Sequence, residues 1–238
     1  MRKLFAVPLS LLLALSAAPA LAQDEPVMLG DQEMPAYQPG EEGLLGAIRE
    51  RGVLFNGVNA ANPPFEFVNE GGEIIGYDID LATEFADWLG VEIATVDVAW
   101  EGVIPSLYTK KFDMIWSAMT ITDLRSEAVD FSQPYASDQA VWIALADDDS
   151  INSIEDLEGQ SICTQTNSAF EAHAMEAIEA AGVDAEIKSF QDFPTAYLAV
   201  ENGECAVGTS STLNNLPLNE SRPGVFRNAV FFDQANYV

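Results

Sequence analysis

Two successive alternations of short apolar runs with amphipathic stretches restrict the fold of this chain more than any other feature. In the first, Val53–Val58 reads as a strand, and Ile79, Ala82, Phe85, Ala86 and Leu89 fall on one helical face that Gly90 ends. Residues 91–98 resume as a strand, and 101–109 form a helix with Pro105 in its first turn, where proline is tolerated. Met114-Ile115-Trp116 is the next apolar run. The extended stretch 139–146 and the polar break Asp147-Asp-Asp-Ser150 then interrupt the pattern. It restarts with a strand at 161–164, a helix at 168–181, a strand at 186–190, a helix at 193–201 and a strand at 205–209. A short helix from about Ser211 and a strand from Val225 follow. Strand–helix–strand repetition argues for mostly parallel sheets covered by helices. Two such units joined by extended segments read as two lobes with a cleft between them.

The flanking segments are equally readable. A helix over 44–51 ends at Gly52, Asn62-Pro63-Pro64 forms a turn presenting Phe65 and Phe67, and Gly71-Gly72 signals a hairpin. At the N-terminus Arg2-Lys3, an apolar run over 4–15 and a closing Ala20-Leu21-Ala22 describe a secretory signal peptide, residues 1–22. A transmembrane anchor is the weaker reading, because Pro8, Ser10 and Ser16 interrupt the run. Residues 23–43 are acidic, carry Pro26, Pro35, Pro39 and Gly40, and lack periodicity, which suits a disordered leader.

Cleavage after Ala22 leaves 216 residues (238 − 22) with 8 basic and 38 acidic side chains, a net charge of 8 − 38 = −30. That charge argues against nucleic acid and anionic membrane surfaces as partners. The acids are spread along the chain, which favours adaptation to salt over a cation-binding patch. Cys163 and Cys205 are the two cysteines, and export favours a disulfide between them, with two buried thiols as the alternative. His173 is the sole histidine and has no cysteine near it in sequence, so neither a metal site nor a catalytic triad has material, and no cofactor is expected.

The stretch from Phe112 to Arg125 carries the chemistry. An apolar run turns polar at Ser117, Thr120, Thr122 and Asp123 and reaches an arginine in a chain with only 10 basic residues. Ligands of open α/β sheets bind at the carboxyl ends of strands, and the planar fork of arginine matches a carboxylate. Pairing of Arg125 with Asp123 or Asp130 at the surface accounts for the local sequence equally well.

Gly76-Tyr-Asp-Ile-Asp-Leu81 resembles the G-[FY]-[DE]-x-D-[LI] signature of bacterial solute-binding proteins of family 3, the amino-acid-binding components of ABC importers. The similarity continues through Ile104-Pro-Ser-Leu107, Asp113, Thr120-Ile-Thr-Asp-Leu-Arg125 and Phe131-Ser-Gln-Pro-Tyr135, with a weaker echo at Leu157-Glu-Gly-Gln160. The cysteine placement resembles that of the general L-amino-acid-binding subgroup. The resemblance implies a type II periplasmic-binding-protein fold. Lobe 1 would span 44–138, a hinge crossing 139–147, lobe 2 148–232, and the start of a return crossing 233–238. It further implies first-lobe sequence beyond Val238, so the chain reads as C-terminally incomplete.

By position, the resemblance assigns Arg125 to the ligand α-carboxylate, Thr120 to a donor beside it, and the Ala118 carbonyl to the α-ammonium group. Asn167, Ser168 and Ala169 match a G-T-T stretch at a helix start that adds donors to the carboxylate. Trp100 matches an aromatic pocket position, and Phe65 suits pocket or core. Two positions depart from the family: Ser211 stands where an aspartate grips the ammonium, and Asn62 where a stacking aromatic is common. The implied function is capture of a small carboxylated solute, foremost an amino acid, by a periplasmic monomer that delivers it to a membrane permease without catalysis. The alternatives are a dehydratase-like enzyme of the same fold, for which Glu101 is the candidate acid, and the sensor lobe of a larger receptor.

Overall fold

The computed structural model describes residues 43–238 and two short strands nearer the N-terminus; for residues 233–237 it describes the backbone alone. Those two strands, β1 (Met28–Leu29) and β2 (Gln32–Glu33), pair antiparallel within the stretch expected to be a disordered leader. The expected signal peptide and the rest of that leader lie outside the described residues.

The first half of the remaining chain builds a small parallel sheet. Helix α1 (Leu44–Arg51) stops at Gly52, which adopts the left-handed conformation and returns its N–H to the last turn. Strand β3 (Val53–Val58) follows, then the short antiparallel ladder β4 (Ala61–Asn62), β5 (Glu66–Val68) and β6 (Ile74–Ile75). Helix α2 (Tyr77–Leu89) buries Ala82, Ala86 and Leu89, as its periodicity predicts. Strand β7 (Glu92–Asp97), a 3₁₀ turn at Trp100–Gly102, helix α3 (Val103–Tyr108) and strand β8 (Met114–Ile115) complete the unit. The sheet order is β7-β3-β8, parallel throughout, so the carboxyl ends of all three strands open on one side. Helix α4 (Asp123–Ser126) is a single turn capped by the Thr122 hydroxyl.

The second half forms a larger mixed sheet. Strand β9 (Ser137–Leu145) covers most of the expected hinge crossing, and it is a fully paired strand of this sheet. It is followed by a 3₁₀ turn, Glu155–Leu157, and then β10 (Ser161–Gln165), α5 (Ala169–Ala181), β11 (Glu186–Phe190) and α6 (Phe193–Glu201). Strand β12 (Val207–Ser211), helix α7 (Asn215–Ser221) and strand β13 (Phe226–Tyr237) end the chain. The order is β11-β10-β12-β9-β13, with β10 parallel to both neighbours and β9 antiparallel to both of its own. The parallel repeat is therefore present, and the long strands β9 and β13 add an antiparallel half that alternation alone does not predict. The fold is the type II two-lobe arrangement, a mixed α/β architecture with parallel sheets covered by helices.

One local correction follows. Strand β12 starts at Val207 rather than at Cys205, which lies in the loop before it. Cys163 and Cys205 form the expected disulfide, with a Cα–Cα distance of 5.7 Å, and both are buried against α6. His173 is half-buried on α5, edge-on to the Phe232 ring at 4.4 Å, where burial lowers its basicity.

Candidate functional site

The carboxyl ends of β3 and β8, the turn before β5 and the start of α5 enclose a cleft with about 530 Å³ of empty space, its open mouth included. Arg125 is the basic side chain of its lining. Its guanidinium donates to the Thr120 carbonyl at 2.9 Å and, across the cleft, to the Asn167 carbonyl at 3.2 Å, and it lies 5.2 Å from the centre of the Trp100 ring. Among the described residues no carboxylate forms an ion pair with it. Burial lowers its pKa to about 10, which leaves it charged at neutral pH. The surface pairing with Asp123 or Asp130 that the sequence permits does not form.

Opposite Arg125 stands the N-terminus of α5. Ser168 caps it, accepting from the Glu171 N–H at 3.0 Å, and the Asn167 N–H donates to the Glu171 carboxylate at 2.6 Å. Ser168 N–H turns back to the Gln165 carbonyl at 3.2 Å. The donors left to the cleft are the N–H groups of Ala169 and Phe170, in the first turn of a 13-residue helix whose dipole favours an anion there. Asn167 is held at φ 57°, a left-handed conformation that asparagine tolerates, and this turns its carbonyl toward Trp100 and Arg125.

A pair of carboxyl groups stands at the opposite wall, Glu66 in its lining and Asp78 behind it. Gly76 adopts φ 135°, and a side chain there would meet the Phe65 carbonyl oxygen at 2.2 Å. Only glycine allows the start of α2 to dock on this turn, where Tyr77 N–H donates to Pro64 and Asp78 N–H to Phe65. The contact brings Asp78 beside Glu66, the next residue along. Asp78 does not cap α2, as its position near the helix start suggests; its carboxylate accepts from Ala118 N–H at 2.6 Å and from the Tyr135 hydroxyl at 2.9 Å. Glu66 has no solvent exposure and accepts from the Ser117 hydroxyl at 2.8 Å and the Asn62 amide at 3.3 Å. Burial, reinforced by the neighbouring Asp78, pushes the Glu66 pKa well up, and burial pushes Asp78 up to about 6. Ala118, which lines the cleft and donates its N–H to Asp78, is held at φ 43°, a costly conformation for alanine.

Among the described residues, four groups tie the two walls together. The Gln165 amide donates to the Asn59 side chain at 3.0 Å, and Trp100 Nε1 donates to the Asn167 carbonyl at 3.0 Å. The Asn214 amide donates to both the Asn62 side chain and the Pro63 carbonyl at 2.7 Å, and Arg125 supplies the fourth tie.

Residues 54–192, more than half the chain, match the sequence pattern of a single family. The chain belongs to the bacterial extracellular solute-binding proteins, family 3. The L-cystine-binding protein TcyJ of Escherichia coli K12 is 31% identical over 158 residues, which cover 66% of this chain and 58% of that protein, so the match spans little more than half of the relative. The arginine-bound, truncated arginine-binding protein of T. maritima is 33% identical with a TM-score of 0.74, covering 81% of this chain and 89% of that one. An ancestral amino-acid-binding protein described as a precursor of cyclohexadienyl dehydratase is 30% identical with a TM-score of 0.74, covering 82% and 84%. No helix among the described residues is long and apolar enough to cross a membrane.

Of the positions that the family resemblance assigns, Arg125, Thr120, Ala118, Trp100, Asn62, Phe65, Ser168 and Ala169 line the cleft. Asn167 reaches it by its carbonyl alone, because Glu171 takes its N–H. Ser211 does not line it: fully buried, its hydroxyl exchanges hydrogen bonds with Asn214, and Asn214 is the residue that faces the opening. Glu101, the candidate acid of the enzymatic alternative, is exposed and outside the lining. Sequence reasoning missed Asp138, held by Thr212 and the N–H of Leu213, and Asn214. Neither lies in a motif, and only the antiparallel pairing of β9 with β12 brings them to the cleft.

Proposed function

We propose that this protein is a periplasmic binding component that captures a small carboxylated solute, foremost an amino acid, and presents it as a monomer to the membrane permease of an ABC importer. The observation that carries the reading is Arg125: a half-buried guanidinium at a cleft, held by neutral carbonyls and facing the free N–H groups of Ala169 and Phe170. Such a fork and helix end, left without an anion, suit two parallel charge-assisted bonds to a carboxylate with further backbone support. Thr120, Ala118, Trp100, Asn62 and Phe65 would form the first wall of the ligand site, and Ser168 and Ala169 the second. The cross-cleft bonds would form as the lobes close over the ligand. Relatives named for cystine and for arginine support an amino-acid ligand without choosing one.

The test is titration calorimetry of the purified protein with L-arginine, L-lysine, L-glutamine, L-cystine and simple carboxylates. Saturable one-to-one binding of an amino acid is expected, and binding of none would overturn the reading. A second reading, an enzyme of the dehydratase type, gains support from Glu66 in the cleft lining, whose carboxyl burial makes a weaker acid, since such chemistry needs a general acid beside the ligand. Incubation with prephenate-like acids separates the two, and the binding reading expects no product.

A further inference from the structure

The family resemblance makes Trp100 an aromatic of the ligand pocket, yet most of what this side chain can offer is already directed at the protein. Its ring packs against the buried cluster of Val103, Phe112 and Met119. The Arg125 guanidinium carbon lies over the ring, 5.2 Å from its centre, where the negative face of an aromatic attracts a cation. The indole N–H, the one hydrogen-bonding group of the side chain, donates across the cleft to the Asn167 carbonyl at 3.0 Å. Arg125 donates to the same oxygen at 3.2 Å, so a single carbonyl of the second wall answers two donors of the first and has both lone pairs filled. The left-handed backbone of Asn167, at φ 57°, aims that oxygen, and Asn167 is exposed, which puts the junction at the rim of the cleft. The other carbonyl that Arg125 meets is that of Thr120, at 2.9 Å, and the remaining N–H groups of the fork are left for a carboxylate.

We propose that Trp100 is a positioning residue: it holds the Arg125 fork and the second wall in one arrangement at the rim of the cleft, and so sets how long any bound ligand stays without choosing among ligand side chains. This rests on the amino-acid reading and deepens it, because it concerns the arginine which that reading gives to the ligand carboxylate. The ring restrains the guanidinium from one side. The indole N–H fixes the carbonyl to which the same guanidinium donates, so orienting the fork and closing the rim are one event. A ligand leaves when the rim opens, and opening breaks both bonds to Asn167 together. The carboxylate, which all amino acids share, therefore feels Trp100 through Arg125. The side chain that tells one amino acid from another does not.

The experiment compares the natural protein with Trp100→Phe, which keeps a ring under Arg125 and loses the N–H, and with Trp100→Ala, which loses both. Affinities for L-arginine, L-lysine, L-glutamine and L-leucine are measured by titration calorimetry. Association and dissociation rates for the tightest of them are measured by surface plasmon resonance on immobilised protein. Trp100→Phe should weaken binding roughly 3- to 10-fold, the effect of one neutral hydrogen bond, and Trp100→Ala roughly 10- to 100-fold, because the cation–π contact goes too. Each variant should weaken every ligand by the same factor, to within about twofold, and the loss should lie in the dissociation rate. Affinity ratios among the ligands that shift by more than about fivefold would assign Trp100 to the ligand side chain and overturn the inference. So would a loss confined to the association rate, or no loss in Trp100→Phe, which retains the core packing and decides the matter even where Trp100→Ala does not fold. Each of these results leaves the amino-acid reading intact. Failure of every amino acid to bind the natural protein would overturn both.

Discussion

The two walls of the cleft are built from different chemistry. On the first wall the polar groups are ionisable and incompletely answered: Arg125 has no carboxylate partner among the described residues, and Glu66 and Asp78 each keep one oxygen that accepts from no donor. On the second wall the buried polar side chains answer one another. Thr209 donates to Thr164 at 2.7 Å, Ser210 bonds both Tyr197 and Asn215, and Ser211 pairs with Asn214. A satisfied neutral network costs little to bury and fixes shape, whereas unsatisfied charge is expensive unless something arrives to meet it. Under the proposed function, ligand charge recognition belongs to the first wall. The second, stapled by Cys163–Cys205, contributes a helix N-terminus and a closing surface.

The strongest way to break this contrast is at Arg125. Arg125→Ala should lower affinity for the best amino acid by roughly 100-fold or more, since two charge-assisted bonds are lost, while the circular dichroism spectrum stays native. Arg125→Lys should also bind poorly, because a point charge cannot reproduce the fork. Unchanged affinity in Arg125→Ala would remove charge recognition from the first wall.

The second comparison is of stability. The Cys163→Ser, Cys205→Ser double variant opens a cross-link spanning 42 residues and should lose about 2–4 kcal/mol in chemical denaturation. Ligand affinity measured well below the transition should remain near normal, because no charged group of the cleft is touched. A large loss of affinity in protein that stays folded would show that the staple shapes the site.

A smaller effect tests the neutrality of the second wall. Ser211→Asp puts a carboxylate into a fully buried position beside Asn214, and should destabilise the protein by about 1–3 kcal/mol without strengthening binding. Tighter binding of amino acids by Ser211→Asp would mean that the second wall can also serve the ligand cation. The mildest change is Asn214→Ala, which removes the donor to Asn62 and Pro63. Each neutral bond is worth about 1 kcal/mol, so affinity should fall by roughly 5- to 30-fold through a faster off-rate, readable by stopped-flow tryptophan fluorescence.

Much of this architecture was legible in local sequence. The face of α2 is written in the spacing of Ala82, Ala86 and Leu89, and Gly52, Gly90 and Gly182 mark helix ends at which the left-handed conformation is needed. The Arg125 stretch announces a polar site at a strand's end because the change from apolar to hydroxyl residues is contiguous. Contacts between distant segments were not legible. Residue 211 has the right position in the family pattern, yet the side chain that reaches the opening is that of Asn214, because β12 ends on a fully buried residue and the chain turns before α7. The aspartate of Gly76-Tyr-Asp78 looks like a helix-start residue until the docking of Gly76 on Phe65 turns it inward.

The sequence by itself therefore determined the periodic elements and the two α/β units, since each depends on residues within one turn or one strand of each other, and it supplied the two cysteines and the arginine proposed for the site. Only the tertiary structure decided which polar groups stand unanswered. Whether Arg125 finds a carboxylate and whether Glu66 meets Asp78 depend on segments as much as 42 residues apart. The physical reason is that the cost of a buried charge is set by everything packed around it, and local sequence lists a residue's own groups but not the partners that folding brings to it.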